Sequence, residues 1–272
     1  MPAPAPAPAP KLSTQTLLVI GGTSGIGLAV AHLALANSIA HVTISGSNPT
    51  RLAAALASLR ASDPAADLTS RTSGHVCDLS SPATTEHNLR ALLAATVAAN
   101  GAGTLDHVVF TAGDALAVVP VADLTVAALH AAGAVRFVAP LLLAKLLPAY
   151  AAPGHASSLT LTGGVNGQRP APGWTVPAAY GNALRGVVRG LAVDLKPLRV
   201  NLVEPGAVET PLWDRFAVEG VEREAFRRRW AERTTVGRVG APEDTAEAYL
   251  YLMKDHFAAG SVVSSNGGTL LV

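Results

Sequence analysis

The chain has one cysteine, Cys77, so no disulfide can form within it and a cysteine-based metal site is excluded. Charge is scarce too. Asp, Glu, Lys and Arg make up 14% of the residues, and the net charge is +1. With no basic stripe, the electrostatic footprint of a nucleic-acid surface is missing. One basic cluster exists, Arg223, Arg227, Arg228 and Arg229, but it alternates with acids and reads as a solvated helix face. No unbroken apolar run approaches the ~20 residues of a membrane helix. The N-terminus carries no apolar signal-peptide core. These absences lead to the expectation of a cytoplasmic protein, without metal and with neither nucleic acid nor membrane as a partner.

What the chain does have is apolar residues. They make up 49% of 272 residues, enough for a large core in one α/β domain. Residues 2–10, PAPAPAPAP, cannot form helix or ladder. A Pro/Ala tail over 1–13 is therefore expected outside a single domain spanning 14–272. Leu17–Ile20 then reads as a buried parallel strand. Gly21, Gly22, Gly25 and Gly27 follow at once, and an apolar run of helical spacing comes next. Strand, glycine turn and helix form the first half of a dinucleotide site. Glycines let the backbone lie close to a pyrophosphate, and the helix N-terminus after them offers free N–H groups to that anion.

Strand and helix alternate through the rest. Strands are expected at 41–46, ending at 78, and at 107–110, 158–161, 199–203 and 261–264. Helices are expected from 49, up to 99, over 124–147 and over 180–195. A polar helical excursion, read as a substrate lid, covers about 211–232. This is the pattern of a doubly wound parallel α/β sheet with its ligand at the C-terminal strand edges. At the exit of the second strand a carboxylate would bind the ribose of NAD, and none is present. Ser45, Ser47, Asn48 and Arg51 stand there instead, and suit the 2′-phosphate of NADP(H). The same residues also suit capping of the helix near Pro49. Asp78 is placed to meet the adenine amino group.

The chain resembles the short-chain dehydrogenase/reductase family over essentially all of 14–272. The resemblance rests on GGTSGIG at 21–27, Asp78, TAG at 111–113, PGAVET at 205–210, GRVGAPED at 237–244 and NGG at 266–268. It implies a Rossmann fold, a nicotinamide cofactor and a dimer or tetramer. The cofactor set implied is Gly21, Thr23, Ser24, Gly25, Ile26 and Gly27, with Asp78, Leu79, Thr111, Ala112 and Gly113. Pro205, Gly206, Val208 and Thr210 complete it. The family's Ser, Tyr and Lys fall on Gly164, Pro177 and Gly181, and its helix Asn falls near Arg136. The proton-donating machinery of a carbonyl reductase is therefore absent. Tyr180, with Arg185 behind it, sits out of register for that role and reads as a pocket wall.

A closer resemblance is to the fungal reductase/Diels–Alderases of bicyclic diazaoctane indole alkaloids. Arg169-Pro170-Ala171-Pro172-Gly173-Trp174 looks like their Pro-Asp-Pro-Gly-Trp signature, and Arg136-Phe137 matches as well. That resemblance implies an NADPH-dependent iminium reduction followed by an intramolecular Diels–Alder cycloaddition. The substrate implied is a small molecule, a polycyclic indole alkaloid precursor. Arg136, Trp174 and Tyr180 are the candidate catalytic residues, with Trp174 and Phe137 placed to stack on an indole. The signature carboxylate is Ala171 here, and Asp114 is a candidate substitute. Two alternatives stay open: a carbonyl reductase using Tyr180, and a non-catalytic dinucleotide-binding protein.

Overall fold

The computed structural model describes residues 10–63, 65–215 and 223–272. Seven parallel strands form one sheet in the order β3-β2-β1-β4-β5-β6-β7. They are β1 (Thr16–Ile20), β2 (His41–Gly46), β3 (Thr72–Val76), β4 (His107–Phe110), β5 (Ser158–Thr162), β6 (Arg199–Pro205) and β7 (Val262–Ser265). Every residue of β1, β4 and β6 is buried, as strands covered on both faces require. Helices α1 (Gly25–Ala36), α2 (Pro49–Arg60) and α8 (Pro242–Lys254) cover one face. The other face is covered by α3 (Thr85–Ala99), α5 (Ala139–Leu146) and α6 (Thr175–Asp194). The chain leaves β1 toward β2 on one side and reaches β4 on the other. Their C-terminal ends open a crevice at that switch point.

Four sequence expectations need correction. Residues 1–9 of the tail lie outside the described residues, and 10–13 belong to the fold. Leu12 is fully buried in the core, and Lys11 Nζ donates to the carbonyl of Lys254. The helix expected over 124–147 is broken into α4 (Val126–Gly133), a π-helical turn (Ala134–Val138) and α5. The helix expected from 180 begins five residues earlier, at Thr175. Pro177 is tolerated there because a first-turn residue has no intrahelical N–H partner to lose. Helix α8 was not anticipated. Pro242 opens it, and Asp244 Oδ2 accepts from the N–H of Ala241 at 2.8 Å.

The stretch Val126–Ala149 also corrects the membrane argument. By length and composition it is the one helix among the described residues that could cross a membrane. Counting unbroken apolar runs missed it because His130 and Arg136 interrupt the run. Here it packs against α3 and α6 and is pinned to α3 by Lys145, whose Nζ lies 2.9 Å from Glu86.

Candidate active site

The glycine turn is built by close backbone approach. Gly21 has φ +91°, and a Cβ there would lie 2.5 Å from the backbone N of Ala112. A Cβ on Gly27 would lie 2.4 Å from the carbonyl oxygen of Gly21, so only glycine lets α1 start this close to β1. Thr111 braces the turn by donating to the carbonyls of Ile20 and Gly21, each at 3.2 Å. The N-terminus of α1 has no side-chain cap and no acid in its first turn. Its N–H groups thus remain open to an anion. At the β2 exit the Ser45 hydroxyl is buried without a protein partner. A glycine cradle, an open helix end and an orphaned hydroxyl fit a dinucleotide phosphate chain.

Above this turn lies one cavity of about 1040 Å³. All the residues expected to bind cofactor border it except Asn48. Asn48 faces the first turn of α2, where its Oδ1 accepts from the N–H of Arg51 at 2.9 Å. Capping is therefore the role seen for Asn48, while Ser47 and Arg51 border the cavity. Asp78 Oδ1 accepts from the N–H of Ser80 at 2.9 Å, and this bond holds its carboxyl below the usual range. Cys77 also borders the cavity. Burial, and then Asp78, push its thiol up to about 11, so it is not a thiolate at neutral pH.

The substrate end is framed by two loops. Ala171, Pro172, Gly173 and Trp174 form a turn closed by the N–H of Trp174 on the carbonyl of Ala171 at 3.0 Å. Pro172 at its second position and Gly173 at φ +78° are what a type II turn requires. The N–H of Val119 donates to the carbonyl of Gly173 at 3.2 Å, which joins this turn to the loop after β4. Arg169 donates to the carbonyl of Thr269, tying the same turn to the C-terminal segment. Arg136 reaches the cavity from the π-helical turn, and Gly113 leaves room for it. A Cβ on Gly113 would meet the guanidinium at about 2.5 Å. Arg136 Nε donates to Asp114 Oδ1 at 3.2 Å. Asp114, suggested by sequence only as a substitute, is thus the counter-charge beside Arg136.

Tyr180 borders the cavity, but its hydroxyl donates to the carbonyl of Leu129 at 2.9 Å. Its ring packs on Phe137, with centroids 5.5 Å apart. Phe137 thus packs on Tyr180 and does not border the cavity. Sequence reasoning missed a different aromatic wall. Trp213, Phe226 and Trp230, from the segment read as a polar lid, border the cavity together with Trp174. Trp213 and Phe226 meet edge to face at 5.1 Å, and Phe226 and Trp230 at 6.2 Å. All three tryptophans of the chain therefore face this one cavity. Spacing did hold a signal: Phe226 and Trp230 are four apart, on one face of α7 (Arg223–Ala231). The basic cluster on α7 is only partly a solvated face. Arg223 and Arg227 each lie 3.4 Å from Glu209, and Arg229 borders the cavity.

Behind the cavity wall, Glu204 on β6 is 1% exposed and unforeseen as a hub. Arg185 of α6 holds both its oxygens, at 2.7 and 2.6 Å, and Gln168 donates to it at 2.8 Å. Arg185, which follows Tyr180 in the sequence, is thus engaged with Glu204 and not with Tyr180.

A seven-stranded parallel sheet with this glycine turn and cleft defines a nicotinamide dinucleotide-binding reductase scaffold. The chain matches the SDR-like Rossmann domain over residues 8–272, and it belongs to the short-chain dehydrogenase/reductase family. It is similar to the short-chain dehydrogenase/reductase malC of Malbranchea aurantiaca, 43% identical over 96% of each chain. The fsr5 short-chain dehydrogenase/reductase of Gibberella fujikuroi is 41% identical, again over 96% of each chain. The solved structure of the MalC reductase/Diels-Alderase superposes with a TM-score of 0.89, covering 97% of this chain and 99% of that one at 41% identity. An NADPH-bound short-chain oxidoreductase of Pseudomonas aeruginosa, described as having an atypical catalytic center, superposes at 0.80 and 26% identity. It covers 94% of this chain and 97% of its own. The protein is accordingly an enzyme of the reductase type.

Proposed function

We propose that this protein reduces a cationic iminium on a polycyclic indole precursor with NADPH, and then holds the product for an intramolecular Diels–Alder cycloaddition. One observation carries the reading. No proton donor stands at residues 164, 177 or 181, and the hydroxyl proton of Tyr180 is directed to Leu129. An iminium already carries its charge, so its reduction needs no acid. When bound, the reduced nicotinamide supplies the hydride.

The chain's own residues do the rest. Asp114 offers a carboxylate to the cation in place of the one missing at Ala171, and its pair with Arg136 fixes its direction. The tryptophans offer faces to an indole and to a delocalised cation. Cycloaddition needs no group transfer, only shape and electrostatics, which a cavity walled by Trp174, Trp213 and Trp230 can supply. The name of the Malbranchea relative, a reductase/Diels-Alderase, supports both halves of this reading. A preference for NADP(H) is supported by Ser47 and Arg51 at the cavity mouth and by the absence of an acid at the β2 exit. The free, buried Cys77 suits a reducing, cytoplasmic compartment. A homo-oligomer, dimer or tetramer, belongs to the same reading.

Single-turnover NADPH oxidation with a dihydro-β-carbolinium salt, followed by chiral product analysis, tests it. Ala171→Asp is expected to speed hydride transfer about tenfold by adding a carboxylate beside the cation. Arg136→Ala is expected to change the product ratio more than the rate. A ketone reduced faster than the salt, with a rate that Tyr180→Phe abolishes, would replace this reading with that of a carbonyl reductase.

A further inference from the structure

Gly164 and Gly181 stand where the family carries its serine and lysine, and one side chain fills the space in front of both. A Cβ on Gly164 would lie 2.8 Å from Asn166 Oδ1, and a Cβ on Gly181 would lie 3.2 Å from the same atom. A side chain at 164 would push the carboxamide aside, and one at 181 would shift it by a few tenths of an ångström. Asn166 is held on a short helical turn, Val165–Gly167, closed by the N–H groups of Gln168 and Arg169 on the carbonyl of Val165, both at 2.9 Å. Gly167 packs so closely on Asn182 of α6 that a Cβ there would lie 2.9 Å from its side chain. The backbone that carries Asn166 is thus fixed between β5 and α6. Its side chain borders the cavity and makes no hydrogen bond to another side chain or backbone group among the described residues.

A carboxamide neither gives up nor takes a proton near neutral pH, yet it presents a strong dipole with an acceptor oxygen and two N–H donors. We infer that Asn166 is a specificity-determining residue that restricts the site to hydride acceptors already bearing positive charge. Its carboxamide dipole faces the cationic C=N group, and the carboxamide occupies the space beside positions 164 and 181. This rests on the iminium reading above. Hydride adds to the C=N carbon, the π pair moves to nitrogen, a neutral amine results, and the dinucleotide leaves oxidised. No proton is consumed. A ketone would end as an alkoxide needing a proton that no residue at 164, 177 or 181 provides.

Binding to the NADP⁺-loaded protein, which cannot deliver hydride, separates recognition from turnover. The probes are an N-methyl dihydroisoquinolinium salt and tetralone, a ketone of the same bicyclic frame, each followed by tryptophan quenching. Wild type is expected to bind the salt more tightly than the ketone. Asn166→Ala should weaken the salt about tenfold, the loss typical of a polar contact to a charged group. It should leave tetralone and NADPH within about twofold. Asn166→Asp should tighten the salt above wild type. In a separate arm, Gly164→Ser should lower the Tm, and adding Asn166→Ala should restore it, because the two side chains compete for one space. Equal binding of the salt by wild type and Asn166→Ala, with its reduction by wild type intact, overturns this role and leaves the iminium reading standing. Weakening of both probes alike, or a Gly164→Ser defect unrelieved by Asn166→Ala, also overturns it. Wild type that reduces the salt no faster than tetralone overturns both.

Discussion

The two halves of the sheet meet at one crevice but bring different things to it. The half built from β1, β2 and β3 contributes mainly backbone: a glycine turn, an open helix end, and the short exits of β2 and β3. The half from β4 to β7 contributes side chains: Asp114, Asn166, Trp174, Trp213, Phe226 and Trp230. The first half offers open N–H groups and close backbone approach. The second offers a carboxamide, an ion pair and three indoles. Backbone geometry shapes one side of the crevice, and side-chain chemistry shapes the other.

The largest expected effect lies in the second half. Glu204→Gln would leave Arg185 without its charge partner, beside the buried end of β6. The expected loss is about 3 kcal/mol in urea unfolding. A loss below about 1 kcal/mol would show that solvent reaches Arg185, whose side chain is 28% exposed, and supports it without Glu204.

The next breaks the first half. Gly25 has φ +52°, and its Cβ direction points at Thr210, 3.1 Å away. Gly25→Val should weaken NADPH binding more than about a hundredfold in a fluorescence titration while the far-UV spectrum stays native. Normal binding would put the phosphates elsewhere.

Arg51→Ala sharpens the comparison. It should reduce a preference for NADPH over NADH by about ten- to a hundredfold, the range of one charge-assisted contact. A wild type that prefers NADH would sink the 2′-phosphate argument itself.

Tyr180→Phe is the smallest. Since the hydroxyl serves Leu129, turnover should stay within a few-fold of wild type, against the ~10²–10⁴ of a general acid.

Most of the scaffold was legible from residue order. All seven strands and the glycine turn were expected from residue order and from where glycine falls, because parallel strands buried on both faces are mostly apolar. Positions 164, 177 and 181, where the family resemblance puts Ser, Tyr and Lys, read directly as glycine, proline and glycine. Less was legible of the site. The π-helical turn that swings Arg136 toward Gly113 has no marker in the run 134–138. The capping weighed for residues 45–51 settled on Asn48, and the packing of Phe137 on Tyr180 depended on side-chain direction.

Taken alone, the order of residues determined the sheet's topology class and the glycine turn after β1. These are properties of backbone period and residue type that neighbours in sequence already settle. Only the tertiary structure decided that Asp114 meets Arg136 from 22 positions away, that Glu204 gathers Gln168 and Arg185, and that three tryptophans face one cavity. It also decided that Asn166 stands against Gly181 of α6, fifteen positions on. Those contacts join separate loops, and nothing shorter than the folded sheet fixes the distance between them.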